Sequence, residues 1–132
     1  MYSCLVIGLG NVGMGYDFNS SYIQSHCKAI DFHKGFYLAG AVEKSKVKRL
    51  SFEKKFKKPS FKNCKSALKK IDPEIIIICS STKTHLPLLK EILSIHKPRV
   101  IVCEKPMGEN FKHSLEILNI CKTNRIKLVA KW

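Results

Sequence analysis

With 132 residues, 45% of them apolar, the chain has the size and composition of one domain folded around a single core. No apolar stretch approaches the ~20 residues of a membrane span, and no basic start precedes the first apolar run, so we expect a cytoplasmic protein without a secretory signal. The net charge of +14 is typical of nucleic-acid-binding proteins, but lysine outnumbers arginine, the usual base reader, by 21 to 3. We therefore interpret the basic residues, twelve of which lie between positions 44 and 70, as a solvated surface, and we do not expect nucleic acid as a partner.

Six β-prone segments recur along the chain, and longer amphipathic stretches separate them. The unbroken apolar runs are typical of strands covered on both faces in a parallel sheet. The predicted strands are Ser3–Gly8, Phe36–Val42, a short segment near Ser60–Phe61, Glu74–Cys79, Arg99–Cys103 and Ile126–Ala130.

The stretches between the strands carry apolar residues at helical spacing, and prolines stand at the predicted boundaries. The repeated order of strand, helix and strand predicts an α/β fold: a doubly wound, mostly parallel Rossmann sheet of about six strands with helices on both faces. The predicted helices are Ser25–His33, Lys46–Phe56, Cys64–Lys70, Leu86–Ile95 and Phe111–Cys121.

The six cysteines lie far apart, with no C-x-x-C pair and no histidine at metal-ligand spacing. Some stand in or at the end of apolar runs, where cysteine behaves as a small hydrophobic residue. We therefore expect reduced, buried thiols and no metal site. The residues are Cys4, Cys27, Cys64, Cys79, Cys103 and Cys121.

Four glycines follow the first strand within eight residues, in the sequence GLGNVGMG. In a dinucleotide-binding turn, glycine permits the tight turn at Gly8, the approach of a pyrophosphate at Gly10 and close helix–strand packing at Gly13. Backbone N–H groups of the same turn, which includes Asn11 and Val12, would face the phosphates. The context therefore favours a pyrophosphate-binding loop at these five residues over a glycine-rich surface turn.

The second predicted strand ends in Glu43, which can accept hydrogen bonds from the adenosine ribose hydroxyls. It lies farther from the glycines than the ~20 residues of the usual fingerprint, because a polar segment at 16–24 precedes the first long helix. Lys44 and its neighbours Lys46 and Arg49 could instead neutralise a 2′-phosphate. NAD is therefore the expected cofactor, and NADP stays open.

Two further segments stand at the carboxyl ends of strands, where open α/β sheets bind ligands: residues 79–85 (CSSTKTH) and 103–110 (CEKPMGEN). Together with the glycine turn, they resemble the nucleotide-binding half of the glucose–fructose oxidoreductase / inositol dehydrogenase family. The resemblance covers nearly the whole chain. The matching residues are Glu104, Lys105 and Pro106 in the family's Glu-Lys-Pro triplet and His85 in the earlier segment, where Ser80, Ser81 and Thr82 depart from the family's residues.

The resemblance implies binding of NAD(P) and hydride transfer between the nicotinamide and a hydroxyl or ketone of a sugar, nucleotide sugar or cyclitol. It makes Lys105 the catalytic residue that assists proton movement, and it implies a cis bond before Pro106. Glu104 would orient the loop or contact the cofactor. The cofactor-binding residues implied at these segments are Ser80, Ser81, Thr82, His85, Glu104, Lys105 and Pro106.

Members of that family continue into a second domain that holds the substrate, whereas this sequence stops at Trp132. We therefore expect residues 1–132 to be one dinucleotide-binding domain, without the substrate domain, that binds cofactor without turnover and forms homo-oligomers through its exposed face. Asp17 and His26 are further candidates for the cofactor pocket or the substrate entrance. The alternative is a non-catalytic nucleotide-sensing module, but a sensor has no use for a lysine at the hydride site.

Overall fold

The structure, a computed structural model, describes residues 1–130, so Lys131 and Trp132 of the predicted domain lie outside the described residues. Its strands form one sheet in the order β3-β2-β1-β4-β5-β6, and all neighbouring pairs are parallel. This order confirms the predicted doubly wound α/β fold, with the topological switch at β1. The strands are β1 (Tyr2–Ile7), β2 (Phe36–Val42), β3 (Ser60–Phe61), β4 (Ile75–Ile78), β5 (Val100–Cys103) and β6 (Lys127–Ala130).

The helices between the strands begin and end within a few residues of the predicted positions. A short π-helical turn, Asn11–Gly15, follows β1, and a 3-10 turn, Thr82–Thr84, follows β4. The α-helices are α1 (His26–Phe32), α2 (Lys46–Phe56), α3 (Cys64–Leu68), α4 (His85–Ile95) and α5 (Phe111–Thr123).

Polar side chains determine where four of these helices begin. In each case the side chain before the helix accepts a hydrogen bond from the amide three residues later, which satisfies one of the free N–H groups of the first turn. The capping residues are Ser25 for α1, Ser45 for α2, Asn63 for α3 and Asn110 for α5.

The apolar side chains of β1 point alternately to two cores, one on each face of the sheet. Leu5 and Ile7 pack in a cluster with residues of α3, α4 and α5, whereas Cys4 and Val6 pack with residues of α1 and α2. Because both faces are covered, the four buried positions of the strand, Cys4–Ile7, carry apolar side chains, which explains the unbroken apolar run there. Within residues 1–130, no helix has both the length and the apolar character needed to cross a bilayer.

Five of the six cysteines are buried free thiols, namely Cys4, Cys27, Cys64, Cys103 and Cys121. Burial raises the pKa of Cys4 to about 11 and those of Cys64 and Cys103 to about 12. These thiols therefore stay protonated near neutral pH and pack as small apolar side chains, as predicted.

Candidate functional site

The turn after β1 brings the backbone of Gly8 between the ends of β2 and β4. Its N–H donates to the carbonyl oxygen of Val42 at 2.8 Å. Gly8 has φ +98°, and a Cβ atom there would lie 2.7 Å from the backbone nitrogen of Ser80. The tight turn thus requires glycine for both its backbone conformation and its close contact with the segment after β4.

Gly13 and Gly10 are glycines for different physical reasons. A Cβ atom on Gly13 would lie 2.0 Å from the carbonyl oxygen of Gly8, so packing of the π-helical turn against the end of β1 excludes any side chain. A Cβ atom on Gly10 would meet no atom within 4 Å. Protein packing therefore does not account for Gly10, and the open space over its backbone is available to a ligand.

A cleft of about 680 Å³ lies at the carboxyl ends of β1, β2 and β4. This volume falls within the range of ~300–1,000 Å³ typical of small-molecule sites. The position matches the general rule that open α/β sheets bind ligands beyond their strand ends at the switch point. Of the predicted site residues, the cleft brings together Gly8, Gly10, Glu43, Lys44, Ser80 and Ser81.

Other residues of the glycine turn lie beside this cleft rather than in its lining. Asn11 is exposed and borders a neighbouring hollow, which Gly10 and Lys48 also line. Val12 is half-buried within the π-helical turn. On the other side, Thr82 borders a smaller hollow against α4. The structure therefore does not bring Asn11, Val12 and Thr82 into the cleft lining with the other predicted residues.

Glu43 connects the glycine turn to the loop after β2. Its Oε1 atom accepts a hydrogen bond from the Leu9 amide at 2.8 Å, and its Oε2 atom accepts one from the Ser45 amide at 2.9 Å. Arg49 donates from Nη1 to the carbonyl oxygens of Glu43 and Lys44, both at 2.8 Å. Arg49, a predicted partner of a 2′-phosphate, therefore holds the loop through its backbone.

His85 links the segments after β4 and β5 and is only 1% exposed. Its Nε2 atom lies 2.8 Å from the carbonyl oxygen of Ser80, and its Nδ1 atom lies 3.0 Å from that of Met107. The ring is buried and both nitrogens contact backbone oxygens, so cofactor binding by this side chain stays a prediction. His85 is a positioning residue for the Ser80 backbone.

The Glu-Lys-Pro triplet follows β5. The Glu104 amide donates to the Ile78 carbonyl oxygen at 3.0 Å, and Glu104 Oε1 lies 2.6 Å from His26 Nε2. The Lys105–Pro106 bond is cis, as the resemblance implies. Lys105 is exposed. The triplet lies outside the cleft lining, and His26, a candidate for the pocket, contacts Glu104 instead.

Asp17 is a structural residue, which corrects its interpretation as a candidate for the pocket. It is 1% exposed, and its Oδ2 atom accepts hydrogen bonds from the amides of Gln24 and Ser25 at 2.6 and 2.7 Å. The Ser25 hydroxyl donates to Oδ1 at 2.6 Å. Burial by itself raises the pKa of Asp17, but these hydrogen bonds outweigh it and lower the pKa below its usual value. Asp17 therefore fixes the polar segment before α1.

Sequence reasoning missed several residues that line the cleft. Cys79 donates through its thiol to the Gly8 carbonyl oxygen at 3.1 Å and is half-buried at the cleft wall. Lys48, Lys62 and Lys83 also line the cleft. Lys62 follows β3, and its place could have been inferred only from the pairing of β3 with β2.

The sequence of residues 2–131 matches the profile described as "Oxidoreductase family, NAD-binding Rossmann fold". No curated protein sequence matches the chain at a significant level.

Solved structures with the same fold include three dehydrogenases. Myo-inositol 2-dehydrogenase from Lactobacillus plantarum has a TM-score of 0.79 at 17% identity, with 98% of this chain and 36% of that chain covered. WlbA dehydrogenase from Chromobacterium violaceum, in complex with NADH and UDP-GlcNAcA, has a TM-score of 0.81 at 14% identity, with 98% and 34% covered. Scyllo-inositol dehydrogenase from Lactobacillus casei, with bound NAD(H) and scyllo-inositol, has a TM-score of 0.77 at 17% identity, with 98% and 35% covered. The chain thus spans about a third of the length of these proteins.

Proposed function

The chain belongs to this oxidoreductase family with an NAD-binding Rossmann fold, and on that premise we propose that it binds a nicotinamide dinucleotide in the cleft at the ends of β1, β2 and β4. The cofactor serves hydride transfer to or from a sugar, nucleotide sugar or cyclitol. When bound, the nicotinamide supplies the hydride acceptor or donor. The protein's own residues bind and orient the cofactor and transfer the proton.

The open backbone of Gly10 carries this proposal. A side chain at this position would meet no protein atom within 4 Å, although the chain places glycine there between two glycines that packing does require. A pyrophosphate lying against the backbone would explain why this position is glycine. Ser80 and Ser81 on the facing wall offer hydroxyl and backbone groups that orient the same ligand.

We assign the proton transfer to Lys105, on the resemblance of its triplet. Its ammonium group has no hydrogen-bond or ion-pair partner within residues 1–130, so it is available to exchange a proton with a substrate oxygen. As the neutral amine, the lysine accepts the proton of a hydroxyl that is oxidised, and as the ammonium it returns a proton to the oxygen of a ketone that is reduced. Glu104, held by His26, positions the loop that carries it.

The substrate class rests on the resemblance together with the inositol and UDP-GlcNAcA structures among the neighbours. These are 14–17% identical to the chain, a level at which similarity shows the fold alone. Two of these proteins are complexes with NADH or NAD(H). Which dinucleotide this chain binds is decided by its own residues.

Because Lys105 is exposed, the reacting end of the site is open to water among the described residues 1–130, and we expect the chain to bind cofactor without turnover by itself. The five buried free thiols support a reducing location such as the cytoplasm. The exposed side chains of Leu115 and Leu118 on α5 support self-association.

Calorimetric titration of the chain with NADH and NADPH tests the proposal, with the Gly10→Val variant beside it. The valine side chain enters the open space, so binding should be lost while the unfolding temperature is kept. Gly35→Ala is the control, because Gly35 precedes β2, at the opposite ends of the strands from the cleft, and its Cβ would meet only the ring of the exposed His33. Absence of binding of either dinucleotide to the folded chain would contradict the proposed function.

A further inference from the structure

We propose that the cleft selects NADP(H) over NAD(H) and that Lys44, Lys48 and Lys62 hold the 2′-phosphate. This inference rests on the proposed function, since it identifies the cofactor of the same cleft. In Rossmann folds, the residues after β2 face the adenosine ribose. A carboxylate there binds the 2′-hydroxyl of NAD, whereas a cationic side chain accommodates the 2′-phosphate of NADP.

The three lysines come from three segments that meet at one corner of the sheet. Lys44 follows β2, Lys48 lies in the first turn of α2, and Lys62 follows β3. The Glu43 amide donates to the Phe61 carbonyl oxygen at 2.9 Å, and this hydrogen bond places the ends of β2 and β3 side by side. All three lysines line the cleft, at the end of β2 that faces the ribose in Rossmann folds.

The charge of the cleft is not balanced by the protein. Together with Lys83 on the facing wall, four lysines line it, against the two carboxylates of Glu43 and Glu91. Among the described residues, none of the four ammonium groups has a carboxylate or hydrogen-bond partner, although other lysines of the chain, such as Lys90 with Glu116, do. Unpaired cations around a concave site attract and retain an anionic ligand.

Glu43, the residue that would favour NAD, is already engaged. Its carboxylate oxygens each accept one hydrogen bond from a main-chain amide, at 2.8 and 2.9 Å, so Glu43 is held against the loop with one acceptor position left on each oxygen. Arg49 is engaged as well, because it donates to two carbonyl oxygens of that loop. The lysines are therefore the cations left to recognise a phosphate at the 2′ position.

Calorimetric titration with four compounds tests this selection: NADPH, NADH, 2′,5′-ADP and 5′-AMP. The last two differ only by the 2′-phosphate and do not depend on the nicotinamide end of the site. We expect NADPH to bind at least about tenfold more tightly than NADH, and 2′,5′-ADP to exceed 5′-AMP by a similar factor. The double variant Lys44→Ala/Lys48→Ala should lower NADPH affinity more than NADH affinity and so remove most of this preference.

Lys46→Ala is the control, because it removes a charge from the same segment outside the cleft lining, and it should keep the preference. Equal or tighter binding of NADH by the unmodified chain would overturn the inference and leave the proposed function standing. A preference that survives in the double variant would overturn the assignment to these lysines. Failure of all four compounds to bind the folded chain would overturn the proposed function itself.

Discussion

His26 Nε2 lies 2.6 Å from Glu104 Oε1, although 78 residues separate the two in sequence. The contact joins the first residue of α1 to the carboxylate that precedes Lys105, and both side chains are mostly buried, at 16% and 12% exposure. This side-chain pair thus holds the segment after β5 against the start of α1.

The first prediction concerns this pair. His26→Ala and Glu104→Ala should each lower the free energy of unfolding by about 1–2 kcal/mol, because each removes the hydrogen bond between these two mostly buried side chains. The double variant should cost about 1 kcal/mol less than the sum of the two. Chemical denaturation of the four proteins measures this coupling, and strict additivity would show that the contact contributes nothing.

The second prediction separates the two roles of glycine in the turn. Gly13→Ala should destabilise the fold by about 2–3 kcal/mol, because its Cβ would lie 2.0 Å from the Gly8 carbonyl oxygen. Gly10→Ala should be neutral or stabilising by up to about 1 kcal/mol, because its Cβ meets open space and Gly10 has φ −75°. Thermal unfolding distinguishes them, and equal destabilisation of the two variants would contradict this assignment.

The third prediction is a pH dependence. The pKa of Asp17 is lowered in the folded chain, so its contribution to stability is fully present above its unfolded pKa of about 3.9 and is lost as the pH falls through the lower folded value. Asp17→Asn should cost about 2 kcal/mol at pH 7, and the difference from the unmodified chain should shrink below pH 4. Denaturation across pH 3–7 measures it.

Asp31→Asn is the control for this experiment, because Asp31 is exposed on α1 and should change the free energy of unfolding little at any pH. A constant effect of Asp17→Asn down to pH 3 would show that the charge of Asp17 does not stabilise the fold.

The fourth prediction concerns thiol reactivity. Cys79 is half-buried at the cleft wall, whereas the other five cysteines are buried, and burial raises their pKa values. An aromatic disulfide reagent should therefore modify one thiol of the native chain first, and Cys79→Ser should remove this phase. The dinucleotide that binds the cleft should slow the modification. If several thiols of the native chain reacted at one rate, the greater burial of the other five cysteines would be contradicted.

Much of the fold could be predicted from the sequence. The unbroken apolar runs predicted five strands and the parallel sheet, a short sixth strand near Ser60–Phe61 was added to complete it, and helical spacing predicted the five α-helices to within a few residues. The glycine turn was also predictable, because Gly8 and Gly13 are required by contacts within a few residues or with the adjoining strand end.

The partners of the polar side chains could not be predicted in this way. Asp17 and His85 are both candidate site residues in sequence, yet the structure buries them and engages them with nearby backbone. Lys48 and Lys62 carry no local signal at all and are recognised only because they line one cleft.

The difference between the features that the sequence predicts and those that it does not has a physical reason. Backbone preference and apolar periodicity are set by neighbours within a few residues, so the sequence by itself determined the elements, their order and the glycine turn. Which strand ends meet is decided by the pairing of β1 with β2 and β4, and of β2 with β3. Only that tertiary pairing brings His26 to Glu104 and three lysines to one corner, because side-chain contacts depend on distance in space rather than along the chain.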